Sequence, residues 1–475
     1  MSNRKKRFKN IKLSPLIILT VSLFILLIIL FSAVFTSKKD SGKSKSGKSK
    51  EVETTESGET ASGDQIPVIK LKDNSDPVPM TADDAEAYVE PEEADEALQA
   101  DGTELHEGSA IPQANDEGIL RDEFDEQADS ILSRMTFEEK IYQMMILMPE
   151  QLTGSETVTA AGNSTKESLK KYPVGGIMYM AGNLKDPGQT RAMLENTQEY
   201  AADIEGIPLF LCVDEEGGRV ARVGNNEAFG KKKIAPMAKT GSVEEAYEAG
   251  NTIGEYLKEL GFNVDFAPDC DVLTNKANKV IGDRSFGSDA DKVRDYARAY
   301  SDGLHDSGIV SVYKHFPGHG ATSGDTHEGF AYTDKTIDEL KEAELVPFAD
   351  AAEAGADMVM VSHISVPRIL GDNTPCSLSY HMVTEVLKDE LGYDGIVVTD
   401  ALNMGAISDN YNGTDAAVMA IKAGNDMLLT PGNFTSIPKR IASEIENGNI
   451  SEARIDESVR KIITGKLKIK EADDQ

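Results

Sequence analysis

Seven short apolar segments, separated by stretches of helical periodicity, predict a parallel sheet assembled from βα units. Polar or charged residues stand at the C-terminal end of nearly every segment. That pattern separates a closed (β/α)8 barrel of the TIM type from an open doubly wound sheet, whose ligands gather at one switch point. No Gly-x-Gly-x-x-Gly follows the first segment, and no Gly-Lys-Ser/Thr loop follows any of the seven. The expected architecture is α/β, a single (β/α)8 catalytic domain over residues 119–475, preceded by a transmembrane anchor and a disordered acidic linker.

Residues 1–36 open with a basic head, Arg4-Lys5-Lys6-Arg7 with Lys9 and Lys12, followed by an almost unbroken apolar run from Leu16 to Phe35. About 20 apolar residues suffice to cross a bilayer, and a cleavable signal has a shorter core. With no small-x-small cleavage site after it, the run predicts an uncleaved single-pass anchor with a cytoplasmic N-terminus and an extracellular body. Six lysines between Lys38 and Lys50 follow the run, but a large downstream domain is translocated regardless of such charges. Secretion after signal cleavage is the alternative. Residues 37–118 are first Ser/Gly/Lys-rich, then acidic, as in Glu90-Pro91-Glu92-Glu93-Ala94-Asp95-Glu96; such a segment buries no core and reads as a tether.

The barrel pattern starts near residue 120. A helix is predicted around Phe124–Leu147, then strands at Val174–Met180, Pro208–Asp214, Val264–Val272, Val310–His315, Met358–His363, Gly395–Asp400 and Met427–Thr430. Helical stretches lie between them, at Gln189–Asp203, Ser242–Leu260, Asp289–Asp306, Ile337–Ala354, Tyr380–Leu391 and Asp415–Ala423. Seven strands leave the eighth to be found.

Composition removes several functions. A formal net charge of −32 argues against a nucleic-acid partner, which needs clustered Lys and Arg. Three cysteines form no disulfide framework and match no metal-ligand spacing. No metal or other cofactor is expected. Trp is absent, so any stacking on a ligand must come from Tyr or Phe.

Three of the 7 histidines fall in Lys314-His315-Phe316-Pro317-Gly318-His319-Gly320-Ala321-Thr322-Ser323-Gly324-Asp325-Thr326-His327, where a buried strand runs into a glycine-rich loop. A strand end bearing a cation and an imidazole reads as a site. Asp325 and His327 need a turn to bring them together; so paired, the carboxylate would fix the imidazole tautomer and leave its other nitrogen to move protons. Asp400 closes the apolar strand Gly395–Thr399, where it could be a nucleophile or simply the N-cap of the next segment. Arg222 and Arg284 follow strand ends and would give forked donors to sugar hydroxyls or carboxylates; for either alone a surface ion pair is the blander reading.

Taken together, these residues resemble the β-N-acetylglucosaminidases of the family-3 glycoside hydrolases over roughly residues 120–470. The resemblance rests on Lys314–Gly320 with Asp325 and His327, on Asp-x-Glu-Gly-Gly-Arg-Val at Asp214–Val220, on Gly-x-Arg-Ser-Phe-Gly at Gly282–Gly287, and on Asp-x-Leu-x-Met at Asp400–Met404. It implies that Asp400 is the nucleophile, that His327 is the acid/base oriented by Asp325, and that Asp214, Arg222, Arg284, Lys314 and His315 bind the sugar. The implied activity is retaining hydrolysis of terminal β-N-acetylglucosamine from peptidoglycan fragments, small oligosaccharides or muropeptides. Ala321 departs from the family, which usually has Asp or Asn there. The second α/β sandwich domain of many relatives is not expected, since the chain ends soon after the barrel. The alternatives are a β-glucosidase or a phosphorylase of the same family, a barrel metallohydrolase using His315, His319, His327, His363 and Asp400, and an inactive wall-binding module.

Overall fold

In a computed structural model, which describes residues 123–326 and 329–474, eight parallel strands form a nearly closed barrel. They are β1 Met145–Leu147, β2 Gly176–Met178, β3 Phe210–Val213, β4 Val264–Asp265, β5 Val310–Phe316, β6 Met358–Val361, β7 Ile396–Thr399 and β8 Leu428–Leu429. Each pairs with its neighbours in sequence, and β8 returns to β1 through Met145–Leu428 and Ile146–Leu429. At the seam between β7 and β8, Met427 donates its N–H to Val397 O at 3.0 Å and Thr399 donates to Met427 O at 3.0 Å. Nearly every strand residue is buried, as expected where one face meets the barrel interior and the other meets helices.

The longer helices are α1 Glu123–Leu132, α2 Phe137–Gln143, α3 Asn163–Lys171, α4 Pro187–Glu205, α5 Val243–Leu260, α6 Ala290–Asp306, α7 Val346–Ala354, the π-helical α8 His381–Glu390, α9 Gly413–Ala423, α10 Ile437–Glu446 and α11 Glu452–Asp474. Their starts follow local chemistry. Asp186, Ser242 and Asp289 each accept an N–H three residues on, capping α4, α5 and α6. Gly206, Gly261, Gly355 and Gly424 end α4, α5, α7 and α9 in the left-handed conformation.

Three expectations change. The single helix over Phe124–Leu147 is two helices followed by a strand. Thr136 and Glu139 make a capping box that restarts the helix after α1, and Met145-Ile146-Leu147 is β1, the missing eighth strand. Three apolar residues directly after a helix have no alternation to mark them. The strand expected over Val264–Val272 is regular only at Val264–Asp265, because Pro268 brings no N–H to the ladder; beyond it Asp269 still bridges to Lys314. The helix expected over Ile337–Ala354 divides into Ile337–Lys341 and α7, which restarts with Pro347 in its first turn. The anchor of residues 1–36, the linker of 37–118 and His327 lie outside the described residues. Among the described residues, no helix is long and apolar enough to cross a membrane.

Candidate active site

The C-terminal ends of β3, β4, β5 and β7 deliver the expected polar residues to one mouth. Lys314 lies inside β5 and is only 2 % exposed, so its ammonium must be paired. It is held by Asp214 at 2.9 Å and Glu216 at 2.7 Å. Asp214 also accepts from Arg222 at 3.0 Å. Glu216 takes both Nε and Nη2 of Arg284, at 2.8 and 2.7 Å, a forked pairing that fixes the guanidinium plane. Burial would raise the Glu216 carboxyl, but Arg284 and Lys314 outweigh it and hold it low. Asp214 is likewise low, its desolvation overcome by Lys314 and Arg222.

His315 continues the network. Arg284 Nη2 lies 3.3 Å from its Nε2, and Asp271 lies 2.7 Å from its Nδ1. A guanidinium only donates, so Nε2 accepts and Nδ1 carries the proton toward Asp271. Burial and then Arg284 lower the imidazole to about 4, so His315 is a neutral, oriented ring at physiological pH. Asp271 also accepts the backbone N–H of His319. The Lys314–His315 and Phe316–Pro317 peptide bonds are cis.

Asp400 sits one residue past β7, half-buried, accepting the Ala401 N–H at 2.7 Å. Burial pushes its carboxyl up, but His363, His315 and that N–H prevail and hold it below the ordinary Asp value. It is an anion at the mouth of an apolar strand. His363 is held beside it: Nε2 donates to Ala401 O at 3.0 Å and Nδ1 lies 2.7 Å from the Ser377 hydroxyl.

The loop after β5 is braced along its length. His319, 2 % exposed, bonds Thr322 through Nδ1 at 2.9 Å, and Asn278 donates to its carbonyl at 2.8 Å; its part is to shape the loop. Gly318, at φ +125°, lies over Glu344, where a Cβ would come within 2.6 Å of the Glu344 Cβ. Farther on, Ser323 and Tyr332 exchange backbone hydrogen bonds of 3.0 Å, pinching the segment between them. Asp325 lies in that segment, and Ala406, six residues beyond Asp400, donates to Thr326 O at 3.0 Å. The loop carrying Asp325 is thus tied to the chain leaving β7.

Asp214, Arg222, Arg284, Lys314 and His315 therefore meet in one network, with Asp400 at its edge and Asp325 on the loop bonded through Thr326 to the chain beyond Asp400. Sequence reasoning gave no role to Glu215, Glu216, Asp269 or Asp271. Glu215 accepts three backbone N–H groups from Arg222, Val223 and Gly224 and the Tyr256 hydroxyl at 2.7 Å, closing the turn that carries Arg222. The visible signal was three consecutive acids at a strand end beside Gly217-Gly218. Oxygen and nitrogen donors of Asp269, Asp271 and His315 lie within 4.8 Å of one another. The Asp271–His315 hydrogen bond already uses two of them, and Arg284 Nε stands 3.4 Å from Asp269, so these donors are engaged in an ion-pair network.

With this geometry in place, the likenesses are specific. The family model described as "Glycosyl hydrolase family 3 N terminal domain" matches residues 136–464. The chain is 33% identical over 330 residues to "Beta-hexosaminidase A" of Pseudoalteromonas piscicida, covering 64% of this chain and 55% of that protein. It is 37% identical over 306 residues to "Beta-hexosaminidase LpqI" of Mycobacterium tuberculosis, covering 63% of this chain and 77% of that one. A solved glycoside hydrolase family 3 β-N-acetylglucosaminidase from Paenibacillus sp. superposes with a TM-score of 0.65 at 33% identity, covering 71% of this chain and 63% of that one. This chain thus spans little more than half of the first relative and under two thirds of the Paenibacillus structure. The chain belongs to glycosyl hydrolase family 3.

Proposed function

We propose that the protein is a β-hexosaminidase that removes terminal β-N-acetylglucosamine by double displacement. Asp400 attacks the anomeric carbon, and the Asp325/His327 pair protonates the leaving oxygen and then activates water. Retaining hydrolysis needs a nucleophile on one side of the sugar and a proton donor beside the leaving group. The observation that carries the reading is the ionised Asp400 at the strand mouth with the Asp325 loop bonded, through Thr326, to the segment that follows it. An imidazole with an ordinary value near 6.5 can serve as donor and then acceptor at neutral pH, which supports His327 in place of a second carboxylate. Asp214, Arg222, Arg284, Lys314 and neutral His315 would hold the sugar ring. Peptidoglycan fragments are the proposed substrates, and residues 1–36 the proposed membrane anchor, which would put the body outside the cell.

The test is turnover of an aryl β-N-acetylglucosaminide. Asp400→Ala should abolish it while leaving the thermal midpoint near wild type; near-normal activity would remove Asp400 as nucleophile. Product analysis with and without phosphate separates hydrolysis from phosphorolysis, and comparison with the aryl β-glucoside tests the sugar.

A further inference from the structure

Large apolar side chains are exposed at four positions among the described residues, Val243, Phe330, Tyr332 and Tyr380. Three of the four are aromatic, and two of these stand two residues apart beside the candidate site. Phe330 is 39% exposed, Ala331 is 0%, and Tyr332 is 45%. This out-in-out pattern is that of an extended segment whose alternate side chains share one face. The face is held in place from behind. Tyr332 is paired to Ser323 by two backbone hydrogen bonds of 3.0 Å, Ser365 donates to Ala331 O at 2.8 Å, and Thr333 donates to Ser365 O at 3.1 Å. Ser323 lies beyond the exit of β5 and Ser365 beyond that of β6, so the two rings stand on the rim of the C-terminal mouth, on a backbone that cannot turn them inward.

We propose that Phe330 and Tyr332 form a stacking platform for the sugar on the leaving-group side of the scissile bond, making the protein selective for saccharide over ring-less leaving groups. The inference rests on the reading of Asp400 and the Asp325/His327 pair given above. The buried network of Asp214, Arg222, Arg284, Lys314 and His315 serves the ring that is attacked. The group that departs must lie toward the proton donor, and Phe330 follows that donor by three residues on the same loop. A pyranose offers a face of C–H groups that suits an aromatic ring, and with no Trp in the chain Phe and Tyr must provide it. Successive outward side chains on an extended segment lie about 6.6 Å apart, close to the width of one sugar with its substituent. A protein partner fits poorly, since stable interfaces bury roughly 1,200–2,000 Å² and two side chains offer a small fraction of that.

The experiment compares two substrates of the intact enzyme, a β-linked N-acetylglucosamine disaccharide and N-acetylglucosaminyl β-fluoride, whose leaving group has no ring. Phe330→Ala and Tyr332→Ala should each lower kcat/KM for the disaccharide by about tenfold, mostly through KM, with the fluoride rate unchanged. Tyr332→Phe, which keeps the ring, should retain the wild-type ratio of the two substrates. Equal losses on both substrates, or no loss on either, would overturn the platform while leaving the proposed hydrolase intact. A wild-type enzyme that fails to release fluoride would overturn the hydrolase reading and the platform with it.

Discussion

At the scale of single residues, charge balance around Arg284 decides how the mouth behaves. Asp269 is wholly buried; its Oδ1 accepts the Asp271 N–H at 3.1 Å, and its Oδ2 has no hydrogen bond and faces Arg284 Nε at 3.4 Å. Burial, then the neighbouring Asp271 carboxylate, push it up to about 7, against the pull of Arg284 and His315. The groups facing it are Asp271, Arg284, His315, Glu216 and, across the bridge, Lys314. A carboxyl raised in the fold stabilises fully below its unfolded value, near 3.9, and loses that contribution as pH rises through about 7. Asp269→Asn has no proton to lose, so its urea midpoint should fall less than that of wild type between pH 5.5 and 8. Parallel losses would show that Asp269 does not hold the proton. Little of this was legible beforehand. Lys314 and His315 stand out because a cation and an imidazole end an apolar strand. The weight of Asp269, Asp271 and Glu216 depends on Arg284, which the long connection between β4 and α6 folds back against them.

At the scale of elements, the sequence pattern marked every strand except β1. That strand is three residues directly after a helix, and its pairing with β8 and β2 is set by tertiary closure of the barrel, which no local pattern encodes. The α5–α6 contact was equally silent. Gly250 and Gly303 look like weak points in two helices, yet each lets backbones touch. A Cβ on Gly250 would collide with the Tyr300 carbonyl oxygen, and one on Gly303 with that of Tyr247. Ala in place of Gly gains about 1 kcal/mol of helix propensity, whereas overpacking costs roughly 1–3 kcal/mol. The packing term should win. Gly250→Ala is expected to lower stability by about 1–2 kcal/mol in urea unfolding, and a gain in stability would show that the helices have room to part.

At the scale of the whole molecule, the site and its support are confined to one stretch of chain. Every residue given a role lies between Asp214 and Glu344 or between His363 and Ala406, and the barrel that holds them runs from β1 to β8. The far end is tied by α11, to α1 through Arg460 and Asp129 and to α2 through the buried Lys466, which donates to Gln143 at 2.7 Å. Every residue of this network lies in the barrel, whereas the proposed anchor is residues 1–36. Chemistry and placement should therefore be separable. The full chain is expected in the membrane pellet after cell lysis, and a chain lacking residues 1–36 in the supernatant, with kcat unchanged on the same β-N-acetylglucosaminide. A truncated chain that still sediments would remove the anchor from residues 1–36. One that is soluble but inactive, with an unchanged thermal midpoint, would mean that the N-terminal region contributes to the site itself, against the proposal that the catalytic groups all belong to the barrel.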